Sequence, residues 1–154
     1  MTRLNPGDSA PDFTLVDHTG APVASRDWRG RKTLLYFYPE DDTPGCTTEA
    51  CGFNEELASL LSLGIHVVGV SPDSPDRHVS FRTKYGLDFT LLSDPDRSVM
   101  TAYGAYGEKM MYGKKVHGVI RSTFLIDEAG RVERAWYNVR ATGHVARVMR
   151  ELSA

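Results

Sequence analysis

A continuous β-favouring run over residues 32–38 is followed, within six positions, by a helical pattern that opens at Pro44. The run is apolar and aromatic at nearly every position, which is typical of a strand buried on both faces of a sheet. From Pro44 onward apolar residues recur at helical spacing, and Gly64 is placed to end the helix. A buried strand that leads directly into a helix restricts the chain to an α/β arrangement.

The same alternation of strand and helix continues along the chain. An N-terminal hairpin is predicted by residues 13–16 and Val23, with Gly20 in its turn. Further strands are predicted from apolar and β-branched runs at residues 65–70, 89–92, 123–127 and 132–139. Further helices are predicted from Ser74-Pro75 to about residue 86, from Asp94 or Asp96 to near residue 104, and over residues 145–152.

This order of elements defines the expected fold class. Strands that alternate with helices predict parallel pairing with right-handed crossovers, and the later hairpin adds antiparallel strands. We predict one α/β domain over residues 1–154, with a thioredoxin-like fold: a mixed central sheet, helices on both faces and an N-terminal β-hairpin. In such open sheets, chemistry collects where the carboxyl end of a strand meets a helix start, which here is the turn over residues 38–46.

The composition excludes several classes of function. The net charge of −2 gives no attraction to nucleic acid or to an anionic membrane. No apolar run approaches the roughly 18 residues of a membrane span, and residues 1–7 have no apolar stretch typical of a secretion signal. We therefore expect a cytosolic protein, and in the cytosol disulfides are usually transient and catalytic.

Cys46 and Cys51 are the only cysteines, too few for a disulfide framework or for a zinc site on their own. With Thr43 as the N-cap and Pro44 at the first helical position, Cys46 lies in the first turn. First-turn N–H groups and the positive end of the helix dipole favour a thiolate there. The sequence thus predicts a reactive thiol at Cys46, whose turn Pro39 would shape and shield. The alternative is that both cysteines are small buried core residues.

The spacing of the two cysteines has a mechanical consequence. Five residues along a regular helix separate two Cα atoms by about 8.7 Å, whereas a disulfide needs less than about 7 Å. A bond between Cys46 and Cys51 would require the first helical turns to unwind. Local opening of this kind is accessible at a helix end.

At these residues the chain resembles the peroxiredoxins, and within them the Q-type branch, also called bacterioferritin comigratory proteins. The Pro-x-x-x-Thr-x-x-Cys motif of the family matches Pro39, Thr43 and Cys46, and the Q-type resolving position matches Cys51. The active-site arginine of the family matches Arg121. The resemblance runs from about residue 6 to the C-terminal helix, and it shows no departure at these positions.

The resemblance implies a thiol-dependent peroxidase. Cys46 would attack the O–O bond of a hydroperoxide and become a sulfenic acid, while Thr43 and Arg121 hold the peroxide oxygens and Glu49 orients Arg121. Cys51 would condense with the sulfenic acid, and thioredoxin or a similar donor would reduce the disulfide. The resemblance implies no metal, haem or flavin cofactor, and it favours a monomer.

Two other functions use the same residues. One is a peroxide sensor or chaperone-like binding protein that exploits the same redox switch, and the other is a disulfide reductase. The reductase is disfavoured because four residues, not two, separate the cysteines. Outside the motif, we expect Asp41-Asp42 to form a solvated turn and the histidines to be structural. Tyr103, Tyr106 and residues 110–112 are expected to pack against loops, and Arg140, Arg147 and Arg150 to be solvated.

Overall fold

The computed structural model describes residues 3–153, which form a mixed sheet of seven strands with helices on both faces and a separate two-stranded hairpin. The strands of this part of the chain are β1 (Thr14–Asp17), β2 (Pro22–Ala24), β3 (Lys32–Phe37), β4 (Ile65–Ser71), β5 (Thr90–Ser93), β6 (Tyr106–Met111), β7 (Lys114–Val119), β8 (Ser122–Ile126) and β9 (Val132–Trp136). The helices are α1 (Pro44–Glu55), α2 (Leu57–Ser62), α3 (Pro75–Tyr85), α4 (Ser98–Ala102) and α5 (His144–Ser153), with a 3₁₀ turn at Ser25–Trp28.

The strand order of the large sheet is β2-β1-β5-β4-β3-β8-β9. The central strands β3, β4 and β5 pair in parallel, whereas β8 runs antiparallel to β3 and β1 antiparallel to β5. The N-terminal hairpin β1–β2 therefore extends one edge and the hairpin β8–β9 the other. The predicted fold class, a mixed sheet with an N-terminal hairpin, is confirmed.

Strand β3 separates two hydrophobic cores because its side chains alternate between the faces of the sheet. Leu34, Tyr36 and Tyr38 join a core that includes side chains of α1, α2, α3 and α5. Leu35 and Phe37 join the opposite core, which includes α4 and the 3₁₀ turn. The expected burial of this strand on both faces is confirmed, and it fixes the position of the turn that leads into α1.

Two regions differ from the sequence-based expectation. The single helix expected from residue 44 to residue 64 is broken at Glu56, whose N–H contacts carbonyls of the last turn of α1. Residues 106–119 form the hairpin β6–β7, for which the sequence analysis predicted no strands. Its turn at Tyr112 and Gly113 has positive φ at both central residues, as a two-residue hairpin turn of type I′ requires.

The expected packing of the aromatic and methionine side chains near this hairpin is wrong in part. Tyr103 is fully buried in the core, but Met110 and Tyr112 at the hairpin tip are 64% and 99% exposed. Within residues 3–153, no helix combines the length and the hydropathy that crossing a membrane requires.

Candidate active site

The turn between β3 and α1 places a thiol at the start of a helix. Thr43 is the N-cap residue with an extended backbone, and Pro44 occupies the first helical position, as the sequence predicted. Cys46 follows in the first turn and is 1% exposed. The Thr43 hydroxyl donates to the carbonyl of Glu40 at 2.9 Å, which closes the turn that begins after Pro39.

Arg121 reaches this thiol from the neighbouring strand of the sheet. It immediately precedes β8, and the antiparallel register that pairs Ser122 with Phe37 sets it beside the carboxyl end of β3. Its Nη2 donates to the Cys46 Sγ at 3.3 Å. Burial would lower the pKa of the guanidinium, but the Glu49 and Cys46 side chains raise it, so Arg121 stays charged. Two residues 75 positions apart are thereby brought together.

Glu49 completes the polar centre from one turn further along α1. Its Oε1 accepts from Arg121 Nη1 at 2.6 Å, and its side chain is fully buried. Burial raises the pKa of Glu49 to about 7, against the downward pull of Arg121. Its second oxygen, Oε2, is buried and has no hydrogen-bond partner among the described residues. A carboxyl in this position exchanges its proton near neutral pH.

Gly45 belongs to the site although the sequence analysis gave it no function. A Cβ atom at this position would lie 3.3 Å from Arg121 Nη2 and 3.4 Å from the Ala141 Cβ. The missing side chain therefore leaves room for the guanidinium beside the thiol. The glycine is visible in the Thr-Pro-Gly-Cys sequence, but its role could be recognised only once the structure placed Arg121 beside it.

Cys51 lies further along the same helix and does not join the centre around Cys46. Both thiols are free. Cys51 is half-buried and lines a groove of about 460 Å³ between α1 and residues 141–146. Burial, together with the nearby Glu55 carboxylate, raises the pKa of the Cys51 thiol. The structure thus separates a buried thiol, Cys46, from a thiol at the edge of a groove.

One expectation about the turn is wrong. Asp41 is not solvated: it is 2% exposed and forms hydrogen bonds with Tyr38 and His78. Asp42 beside it is exposed, as expected, and has a positive φ of 61°. Within residues 3–153, no group of three or more His, Cys, Asp or Glu side chains is arranged to hold a metal ion.

A free thiol at a helix start, held by a guanidinium at the carboxyl end of a parallel strand pair, defines a thiol enzyme on an α/β sheet. Residues 6–135 match the AhpC/TSA family, and the chain belongs to that family. It is 58% identical over 152 residues to a Mycobacterium tuberculosis protein named provisionally as a peroxiredoxin, covering 99% of this chain and 97% of the relative. It is 42% identical over 146 residues to the peroxiredoxin Bcp of Bacillus subtilis, covering 95% and 93%.

Solved structures agree with this assignment. A cysteine-to-serine mutant of PrxQ from Xylella fastidiosa superposes with a TM-score of 0.90 at 36% identity, covering 99% of this chain and 98% of that one. A cysteine-to-serine mutant of peroxiredoxin Q from Xanthomonas campestris gives a TM-score of 0.85 at 40% identity, covering 92% and 90%. The thioredoxin-like fold is thereby confirmed, and the chain is a thiol-dependent peroxidase of the Bcp/PrxQ type.

Proposed function

We propose that Cys46 is the peroxidatic cysteine and that its thiolate attacks one oxygen of a hydroperoxide. The S–O bond forms as the O–O bond breaks, the leaving oxygen takes a proton as water or an alcohol, and Cys46 becomes a sulfenic acid. The observation that supports this role is the 3.3 Å contact between Arg121 Nη2 and the Cys46 Sγ in the first turn of α1. A guanidinium and a helix start both favour the thiolate that the reaction needs.

The same groups suit the charge that moves during the reaction. As the O–O bond breaks, negative charge develops on the leaving oxygen, and fixed donors at that place lower the barrier. We assign these donors to Arg121 and the Cys46 backbone N–H. The Thr43 hydroxyl, whose hydrogen is donated to the Glu40 carbonyl, can accept from the O–H group of the peroxide and so hold its other end. Glu49, through its 2.6 Å contact with Arg121 Nη1, orients the guanidinium. Pro39 covers the turn and keeps its backbone in place.

The substrate class follows from the family and from this site together. The bacterioferritin comigratory protein of Xanthomonas campestris, 40% identical to this chain, has alkyl peroxide reduction activity. The part of a peroxide that the proposed donors bind is the O–O group, which hydrogen peroxide and organic hydroperoxides share. We therefore propose both as substrates of this enzyme.

Cys51 is the proposed resolving residue. Its thiol would attack the Cys46 sulfenic acid and release water, leaving an intramolecular disulfide. Because α1 is continuous from Pro44 to Glu55, a regular helix keeps the two Cα atoms about 8.7 Å apart. The first turns of α1 must therefore unwind before the bond forms. The groove beside Cys51 provides space for this change.

The remaining steps need a reductant from outside the chain. A thioredoxin-like dithiol would reduce the Cys46–Cys51 disulfide and would itself become a disulfide. Since both thiols belong to one helix, no second subunit is needed, and we propose a monomer. We place the enzyme in the cytosol, where the reducing environment keeps such a disulfide transient.

Two cysteine variants test this assignment. Peroxide consumption is measured with thioredoxin, thioredoxin reductase and NADPH for hydrogen peroxide and for an alkyl hydroperoxide. Cys46→Ser is expected to abolish consumption, while Cys51→Ser is expected to undergo one oxidation of Cys46 and then stop. Full activity of the Cys46 variant would show that the assignment is wrong. Sustained turnover of the Cys51 variant would show that Cys51 is not the resolving residue.

A further inference from the structure

Two buried side chains in contact with each other, Asp41 and His78, anchor the turn that carries the proposed active-site residues. Their side chains are 1% and 0% exposed. His78 Nδ1 lies 2.6 Å from Asp41 Oδ2, and Nε2 lies 3.0 Å from the carbonyl oxygen of Leu92 on β5. The pair therefore links the turn before α1 to α3 and to strand β5.

Every polar atom of Asp41 is hydrogen-bonded, each to a different residue. Its Oδ1 accepts from the Tyr38 hydroxyl, and its backbone N–H donates to Asp73 Oδ2 at 2.7 Å. Its carbonyl oxygen accepts from Arg77 Nη2 at 3.1 Å. A residue held at its N–H, its C=O and both carboxyl oxygens has no alternative position inside the turn.

The protons of the pair follow from its contacts. A carbonyl oxygen only accepts, so His78 Nε2 carries a hydrogen. The close approach of Nδ1 to Asp41 Oδ2 needs a second hydrogen, either on the ring or on the carboxyl. The buried pair is thus neutral as a whole, and removing either partner leaves an unsatisfied polar group in the core.

We propose that Asp41 and His78 are positioning residues for peroxide reduction. They hold the turn over residues 39–43, so that Thr43 stays beside Cys46 and only the chain after Thr43 unwinds when the disulfide forms. This proposal rests on the proposed roles of Cys46 and Thr43. It also explains how a helix can open at its first turn without dismantling the strand end before it.

Substitutions of Asp41 provide the test. Asp41→Ala removes the anchor, and the second-order rate constant for oxidation of Cys46 by peroxide should fall by about tenfold or more, as expected for misplaced reacting groups. Asp41→Asn replaces the shared proton with an amide N–H: its Nδ2 donates to a neutral His78, and its Oδ1 still accepts from Tyr38. This variant should retain the wild-type rate within about threefold.

The readout distinguishes positioning from a general loss of structure. Loss of the free Cys46 thiol is followed by rapid quenching and mass spectrometry, once with peroxide and once with iodoacetamide. Asp41→Ala should slow only the peroxide reaction. The control is Asp127→Ala, which removes a carboxylate that accepts from the N–H groups of Ala129 and Arg131 in the turn between β8 and β9, away from the turn before α1, and it should leave both rates unchanged. Equal slowing of both reactions, or a wild-type peroxide rate in Asp41→Ala, overturns the proposal.

Hydrogen exchange keeps the proposal testable if Asp41→Ala does not fold. In the wild-type disulfide form, the amide of Asp41 should stay as protected as in the reduced form, whereas amides of residues 46–52 lose protection. An equal loss of exchange protection at the Asp41 amide would overturn the proposed anchoring role. Failure of Cys46 to react with peroxide in the wild type would instead count against the proposed function, and exchange at Asp41 would still report on the anchor.

Discussion

The buried Glu49 carboxyl makes a quantitative prediction about stability. Burial raises its pKa from 4.5 to about 7, so between these pH values the folded state binds a proton that the unfolded state has released. Stability then falls as the pH rises through this window. Since one pKa unit corresponds to about 1.4 kcal/mol, the loss amounts to about 3 kcal/mol from pH 4 to pH 8.

The substitution Glu49→Gln isolates this effect. The amide oxygen can still accept from Arg121, but the side chain no longer titrates. The free energy of unfolding of the variant, relative to the wild type, should rise by about 3 kcal/mol between pH 4 and pH 8. Contributions from other titrating groups cancel in this difference when they act independently of Glu49.

The measurement is urea unfolding of both reduced proteins at several pH values, followed by circular dichroism. Glu55→Gln is the matched control, because Glu55 is an exposed carboxyl on the same helix, and its difference from the wild type should vary little with pH. A difference between Glu49→Gln and the wild type that does not change with pH would refute the argument that burial dominates the titration of this carboxyl.

Three further substitutions test the packing around the site. Gly45→Ala places a Cβ atom 3.3 Å from Arg121 Nη2, so oxidation of Cys46 should slow by about tenfold or more in rapid-quench experiments; an unchanged rate would contradict the need for a small residue. Gly52→Ala brings a Cβ within 2.9 Å of Val145 Cγ2 and should lower the free energy of unfolding by up to about 2 kcal/mol, because overpacking costs about 1–3 kcal/mol and replacing a glycine inside a helix returns about 1 kcal/mol. A variant more stable than the wild type would show that Val145 moves aside without cost. Burial lowers the pKa of His144 to about 4, so the folded state loses stability as the pH falls from about 6.5 towards 4. His144→Gln should therefore move the midpoint of acid unfolding to lower pH, and a midpoint that stays in place or rises would argue against this cause.

The hairpin β6–β7 shows where sequence patterns were insufficient. In the part of the chain that the structure describes, its strands pair only with each other, and most of their side chains are exposed or half-buried. A strand shows alternating apolar and polar residues in its sequence when one of its faces is buried. Neither face of this hairpin is extensively buried, so the alternation is weak. The break at Glu56 was missed for a related reason, since the apolar spacing continues through it while the backbone does not.

Asp41 illustrates a different failure. Two adjacent aspartates in a turn are usually solvated, because burying a carboxylate is unfavourable without partners. The buried partner of Asp41 is His78, 37 residues away on α3. No local pattern could have revealed that pair.

The sequence alone determined the strand that leads into α1, the N-cap at Thr43, the proline after it and a thiol in the first turn. These features are local, since capping and periodicity depend on neighbouring residues. The tertiary structure decided that Arg121 and Glu49, 72 residues apart, meet beside that thiol, that burial moves the titration of Glu49 to neutrality and that Asp41 is anchored. Each of these depends on strand register and on the exclusion of water, which arise only when distant segments pack together.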